Sequence, residues 1–124
     1  MILKDSLYSI QSLATEEGAI NVQLALDPEH PIFAGHFPGN PVTPGVVQVE
    51  MVQEILSVTL DKEVSLKSMA NCKFLAVLNP NVHSSIGVKI TTSTTEENTL
   101  RVSAQLFAEE VVFTKIQAEF IEVV

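Results

Sequence analysis

Four stretches of this chain alternate apolar and polar residues with a period of two, and that pattern constrains the fold most. In Ala19–Leu26 the residues Ile20, Val22, Leu24 and Leu26 share one face. In Ile86–Thr92 the shared face is Ile86, Val88 and Ile90, and in Thr99–Phe107 it is Leu100, Val102, Ala104 and Leu106. In Val111–Val124 it is Val112, Ile116, Ala118 and Phe120, with Lys115, Gln117 and Glu119 opposite. Residues two apart in an extended chain point the same way, so each stretch reads as a strand with one buried face. Two less regular strands are expected over about Tyr8–Thr15 and Ser65–Leu78. Turn signals at Glu16-Glu17-Gly18, Asn79-Pro80-Asn81, Glu96-Glu97-Asn98 and Glu109-Glu110 separate these runs, so the last part reads as an antiparallel meander.

One segment breaks the pattern. Thr43 suits a helix cap and Pro44 suits a first helical position, where its missing N–H costs nothing. The spacing predicts a helix from Pro44 to about Leu60. At about 100° per residue, Ile55, Val52, Leu56, Val49 and Leu60 fall in one broad arc, with Val47, Val58 and Met51 beside it. Gln53, Ser57, Glu50 and Glu54 occupy the remaining arc. So wide an apolar arc suits a helix wrapped by a sheet. One buried helix with about six antiparallel strands is an α+β architecture.

Length and charge narrow the function. At 124 residues the chain is expected to be a single domain over 1–124. Hydrophobic residues at 46% exclude intrinsic disorder. A net charge of −8 repels phosphate backbones and anionic lipid, which argues against nucleic acid and membrane surfaces as partners. No apolar run approaches the roughly 20 residues that cross a bilayer, and the first residues lack the apolar stretch of a signal peptide. Cys72 is the only cysteine, so neither an internal disulfide nor a cysteine-based metal site is available. The expectation is a soluble, cytoplasmic domain without metal or cofactor.

The candidate chemistry lies around the irregular stretch His30–Thr43. Its Pro31, Pro38, Pro41, Gly35 and Gly39 forbid regular structure and stiffen a loop that feeds the helix. His36 sits in that loop and Glu50 two turns into the helix. A histidine and a carboxylate form the usual acid–base pair near neutral pH. Gly45 lies at the first helical turn, where an amide without an intrahelical partner suits a carbonyl oxygen gaining charge. Such a set suits removal of a proton next to a carbonyl with loss of a β-hydroxyl. From spacing alone, Glu50 is equally a member of a solvated stripe with Gln53, Glu54 and Ser57, and His36 equally a polar loop residue. His30, His83 and Cys72 lack metal-ligand spacing, and Cys72 reads as packing.

The run Gly35-His36-Phe37-Pro38-Gly39-Asn40-Pro41-Val42-Thr43-Pro44-Gly45-Val46, followed by Glu50, resembles the signature of the FabZ/FabA-type 3-hydroxyacyl-acyl-carrier-protein dehydratases. Lys73-Phe74 and Pro80 are similar to later family positions. The resemblance implies a hot-dog fold, in which an antiparallel sheet of about six strands wraps a central helix. It implies dehydration of a (3R)-3-hydroxyacyl thioester on acyl carrier protein to the trans-2-enoyl form, in fatty-acid or related acyl-chain synthesis. His36 would take the C2 proton, Glu50 would protonate the leaving hydroxyl, and the Gly45 amide would bind the thioester oxygen, with Val46 and Phe37 beside it. It also implies a homodimer, or a larger oligomer built from dimers, with the site between subunits. Independently, a single sheet over one helix leaves edge strands that need covering.

The chain departs from the family in three places. The segment that usually precedes the first strands is absent, Glu54 stands where the family has Gln, and the turn after Lys73-Phe74 reads Pro80-Asn81-Val82. Two alternatives follow: a hot-dog acyl thioesterase with Glu50 activating water, and a degenerate hot-dog subunit of a heteromeric dehydratase. Docking an acidic carrier on a chain of this charge needs a local basic patch. Lys62, Lys67, Lys73, Lys89, Arg101 and Lys115 are the candidates, with Lys4 a weaker one.

Overall fold

The computed structural model describes residues 2–34 and 41–123. Six strands, β1 (Tyr8–Glu16), β2 (Ala19–Leu26), β3 (Val64–Phe74), β4 (Ser85–Thr94), β5 (Leu100–Ala108) and β6 (Val111–Glu122), form one sheet. Every neighbouring pair is antiparallel, in the order β1-β2-β4-β5-β6-β3. A single α-helix among the described residues, α1 (Gly45–Leu60), lies between β2 and β3 in sequence. The architecture expected from the alternation and the one helix is the one found.

The core is where the two periodicities meet. From α1 come Met51, Val52, Ile55 and Leu56, each without solvent exposure. From the sheet come Val22, Leu24, Ile86, Val88, Ile90, Val102, Ala104, Leu106, Ile116 and Phe120. Burying each large aliphatic side chain stabilises the fold by roughly 1.5–3 kcal/mol relative to exposure. Left-handed residues close the elements: Gly18 (φ 68°) in the β1–β2 turn and Asp61 (φ 52°) after α1, whose N–H returns to the carbonyls of Ser57 and Val58.

Four details differ from expectation. Thr43 does not cap α1: Pro44 is extended (φ −61°, ψ 148°) and is itself the cap residue, without a side-chain bond. Thr43 is therefore one position too early. The strand expected to reach Leu78 ends at Phe74, where the N–H groups of Leu75 and Ala76 both reach the carbonyl of Phe113 and the chain leaves the ladder. A register shift between Leu106 and Phe107 breaks the alternation of β6, so Phe113 and Thr114 are both buried while Val112 is partly exposed. Glu54, expected in the solvated arc, is only 3% exposed.

Candidate active site

The start of α1 is held by a backbone bond and by side chains of α1, β3 and β6. The Thr43 amide donates to the Leu78 carbonyl at 2.8 Å. Gln48, buried on the helix, donates from Nε2 to the Thr43 carbonyl at 3.1 Å and accepts from the Thr114 hydroxyl of β6. The amides of Val47 and Gln48 reach the Pro44 carbonyl, while those of Gly45 and Val46 have no partner among the described residues. The ring of Phe74, the last residue of β3, lies against the Cα of Gly45, and any β-carbon there would run into it. A larger residue at this position would require the Phe74 ring to move. A mainly apolar groove of about 500 Å³ opens here, lined by Thr43, Gly45, Gln48, Phe74 and Val77.

Glu50 opens elsewhere. It is half-buried in a groove of about 810 Å³ whose lining includes Ile2, Gln53, Glu54, Ser57 and Lys62. Gly45 and Glu50 are five residues apart, which turns the helix through about 140°. Within one chain, Gly45 and Glu50 therefore open into different grooves. His36 and Phe37 lie outside the described residues. Val46 is placed beside Gly45 and is 78% exposed.

The two carboxylates of α1 are differently employed. Glu54 accepts from the backbone N–H of Ile2 and Leu3 at 3.1 Å each, from that of Lys4 at 2.9 Å, and from the Tyr8 hydroxyl at 2.8 Å. Burial, and then the bond to Glu54, hold the Tyr8 phenol protonated far above its usual range. Glu50 accepts no hydrogen bond among the described residues and faces its groove uncommitted. Sequence reasoning missed the roles of Glu54, Gln48 and Phe74. The signals were a Glu at a family Gln position and a Gln inside the apolar arc; nothing local marked Phe74.

The other titratable groups have structural surroundings. His30 Nδ1 accepts from the Ile32 amide and caps a 3-10 turn over Pro31–Phe33. His83 packs edge-on to Phe113, with ring centroids 5.2 Å apart. Burial pushes the Cys72 thiol up, which disfavours the thiolate. The Asn79 side chain accepts from the Asn81 amide at 2.9 Å and shapes the turn at Pro80. No group of three or more metal-ligating side chains occurs among the described residues.

Comparison with known proteins gives this geometry a family. The model for ApeI-like proteins, described as ApeI dehydratase, matches residues 12–115. The chain belongs to the ApeI-like dehydratase family. Among its relatives, the 3-hydroxyacyl-[acyl-carrier-protein] dehydratase FabZ of Rickettsia bellii (strain OSU 85-389) is 29% identical over 120 residues, covering 87% of this chain and 80% of that one. FabZ of Rickettsia typhi (strain Wilmington) is 33% identical over 97 residues, covering 68% and 64%. A solved structure of the dehydratase heterocomplex ApeI:P from Xenorhabdus doucetiae superposes with a TM-score of 0.72 at 24% identity, covering 90% of this chain and 96% of that one. The PaaI protein of E. coli superposes at 0.63 with 9% identity, covering 94% and 80%. These two likenesses establish the hot-dog fold for this ApeI-like chain. The activity that goes with the family is dehydration of a 3-hydroxyacyl group.

Proposed function

We propose that this chain dehydrates a (3R)-3-hydroxyacyl thioester borne on acyl carrier protein, working as a dimer or an assembly of dimers with sites between subunits. In the reaction His36 takes the C2 proton, and the electron pair of the broken C2–H bond forms the C2=C3 double bond. The C3–O bond breaks, and Glu50 gives its proton to the departing hydroxyl, which leaves as water. The Gly45 amide, at the positive end of α1, stabilises the charge gathering on the thioester oxygen. Val46 and Phe37 contribute to binding the substrate.

The observation that carries this reading is the contrast on α1: Glu54 is saturated by four donors, whereas Glu50 faces an open groove with no hydrogen bond among the described residues. The separate outlook of Gly45 and Glu50 supports a site shared between chains, where one chain's Gly45 and His36 meet the partner's Glu50. The exposed edge of β3 supports the pairing. The carrier is the substrate class in the names of the FabZ relatives. The similar solved structure is a heterocomplex, so an active homologue as partner is the alternative assembly.

The test is conversion of crotonyl thioester on acyl carrier protein, followed by loss of the enoyl absorbance and by product mass. Gain of one water with a (3R) product is expected. His36→Ala and Glu50→Gln, folded as the parent, should each lose about 10²–10⁴-fold in kcat. Full activity in either variant sinks its assignment, and release of free thiol would favour a thioesterase.

A further inference from the structure

The sequence holds seven basic residues among fifteen acidic ones. In the fold most of the cations meet carboxylates. Lys4 pairs with Asp5 at 2.8 Å, Lys62 with Glu122 at 3.6 Å, and Lys67 with Glu97 and Glu119 at 3.5 and 3.6 Å. Arg101 stands opposite Glu119 across β5 and β6. The Thr99 hydroxyl first, and then Lys67 and Arg101, hold that carboxyl below its usual range. Three cations remain without a carboxylate partner among the described residues: Lys73, Lys89 and Lys115.

These three lie in one row. Lys73 of β3 is the register partner of Lys115 of β6, Lys115 of Gln105 of β5, and Gln105 of Lys89 of β4. Register partners share a face, and the buried neighbours Val88, Ile90, Ala104, Leu106 and Ile116 put this row on the outer face of the sheet. Strands about 4.8 Å apart place the lysines along roughly 14 Å. The next row, Thr91, Ser103, Gln117 and Asn71, carries no charge. On the other side the Phe107 ring lies over Gly87, so a partly exposed aromatic flanks the row. The row also ends beside the candidate site. Lys73 points outward, and the next residue, Phe74, lies against Gly45 at the start of α1.

We infer that the Lys73–Lys115–Lys89 row, flanked by Phe107, is the docking surface for the acidic carrier that delivers the thioester. This rests on the dehydratase reading above. The occupant follows from charge complementarity: on a chain of net charge −8, the one uncompensated group of cations is aligned and free of neighbouring carboxylates. An acidic helix laid along the row would meet three ammonium groups and an apolar ring, and Lys73 would lie at the end nearest the site. Opposed charges of this kind raise encounter rates and fix register, and they weaken with salt.

The experiment compares the parent, Lys73→Gln/Lys89→Gln/Lys115→Gln, and Gln11→Glu/Ser12→Glu/Thr15→Glu. The last carries the same net charge as the second, but places the change on exposed positions of β1. Each is assayed with crotonyl on an acidic acyl carrier protein and with crotonyl N-acetylcysteamine, and carrier binding is titrated directly. The row variant should lose about tenfold or more in kcat/KM and in affinity for the carrier. It should stay within about twofold of the parent on the small thioester, and its carrier KM should lose its salt dependence. The β1 variant should resemble the parent on both substrates. An undiminished carrier reaction, an equal loss on both substrates, or an equal loss in the β1 variant overturns the inference. A parent that converts neither thioester overturns the dehydratase reading instead. The row is then judged on the titration: parent binding that the row variant loses sustains it, and anything else ends it.

Discussion

Glu50 and Glu54 sit one helical turn apart, carry the same carboxylate, and are put to opposite uses. Both fell in the polar arc that periodicity defines, and periodicity does not separate them. The difference comes from residues some fifty positions earlier, because the amides of Ile2, Leu3 and Lys4 and the Tyr8 hydroxyl all converge on Glu54. A helical pattern shows which way a side chain points, not what lies over it, so this contact was illegible in the sequence. Glu54→Ala should destabilise the fold by about 2–4 kcal/mol in urea unfolding, since the buried Tyr8 hydroxyl and three partly buried amides lose their acceptor. Glu54→Gln should cost less, because one acceptor oxygen remains, and Glu50→Gln should stay within about 0.5 kcal/mol of the parent. The Tyr8 phenol adds a pH signature. Its folded pKa lies above the ordinary 10.0, so between pH 10 and the folded value the folded state keeps a proton that the unfolded state has lost. Stability should therefore be full below pH 10 and fall as pH rises beyond it. Tyr8→Phe should be less stable than the parent at pH 7 and show a flatter alkaline branch, as read by urea midpoints across pH 8–11.

The elements divide into those whose bounds followed from alternation and those bent by their surroundings. Strand β2 is Ala19–Leu26 as its pattern predicts, because each of its edges is paired and its inner face is wholly buried. Strand β3 was harder to read. It pairs only with β6 in this chain, carries register shifts on either side of the pair Ser68–Met69, and leaves Leu66, Met69 and Phe74 exposed by 37%, 36% and 56%. An apolar edge of that length invites pairing with another strand. Met69→Lys should therefore shift the protein toward monomer in light-scattering chromatography and depress dehydration with it. An unchanged oligomer would move the interface elsewhere. The helix was legible except at its start, where the extended Pro44 displaced Thr43 from the capping position. Of the candidate site, Gly45 was legible as a glycine at a helix start, while its contact with Phe74 on a distant strand was not.

For the molecule as a whole, the sheet order and the sequence order disagree in a way that matters for how the chain is made. Local hairpins join β1 to β2, β4 to β5 and β5 to β6, but β2 pairs with β4 across the whole of α1 and β3. β3 pairs with β6, the last of these six strands in sequence order. During translation α1 and β3 thus emerge long before the surface that will shelter them, and their apolar faces wait for the final strand. Long-range pairings of this kind slow folding and prolong exposure to aggregation. A chain stopped at Glu110 should remain sensitive to protease, and resistance should appear only once β6 has emerged and paired. The nascent protein would then depend on chaperones until β6 has emerged, and its yield in cells should respond more to translation speed through the codons between β3 and β6 than to any change in the first two strands.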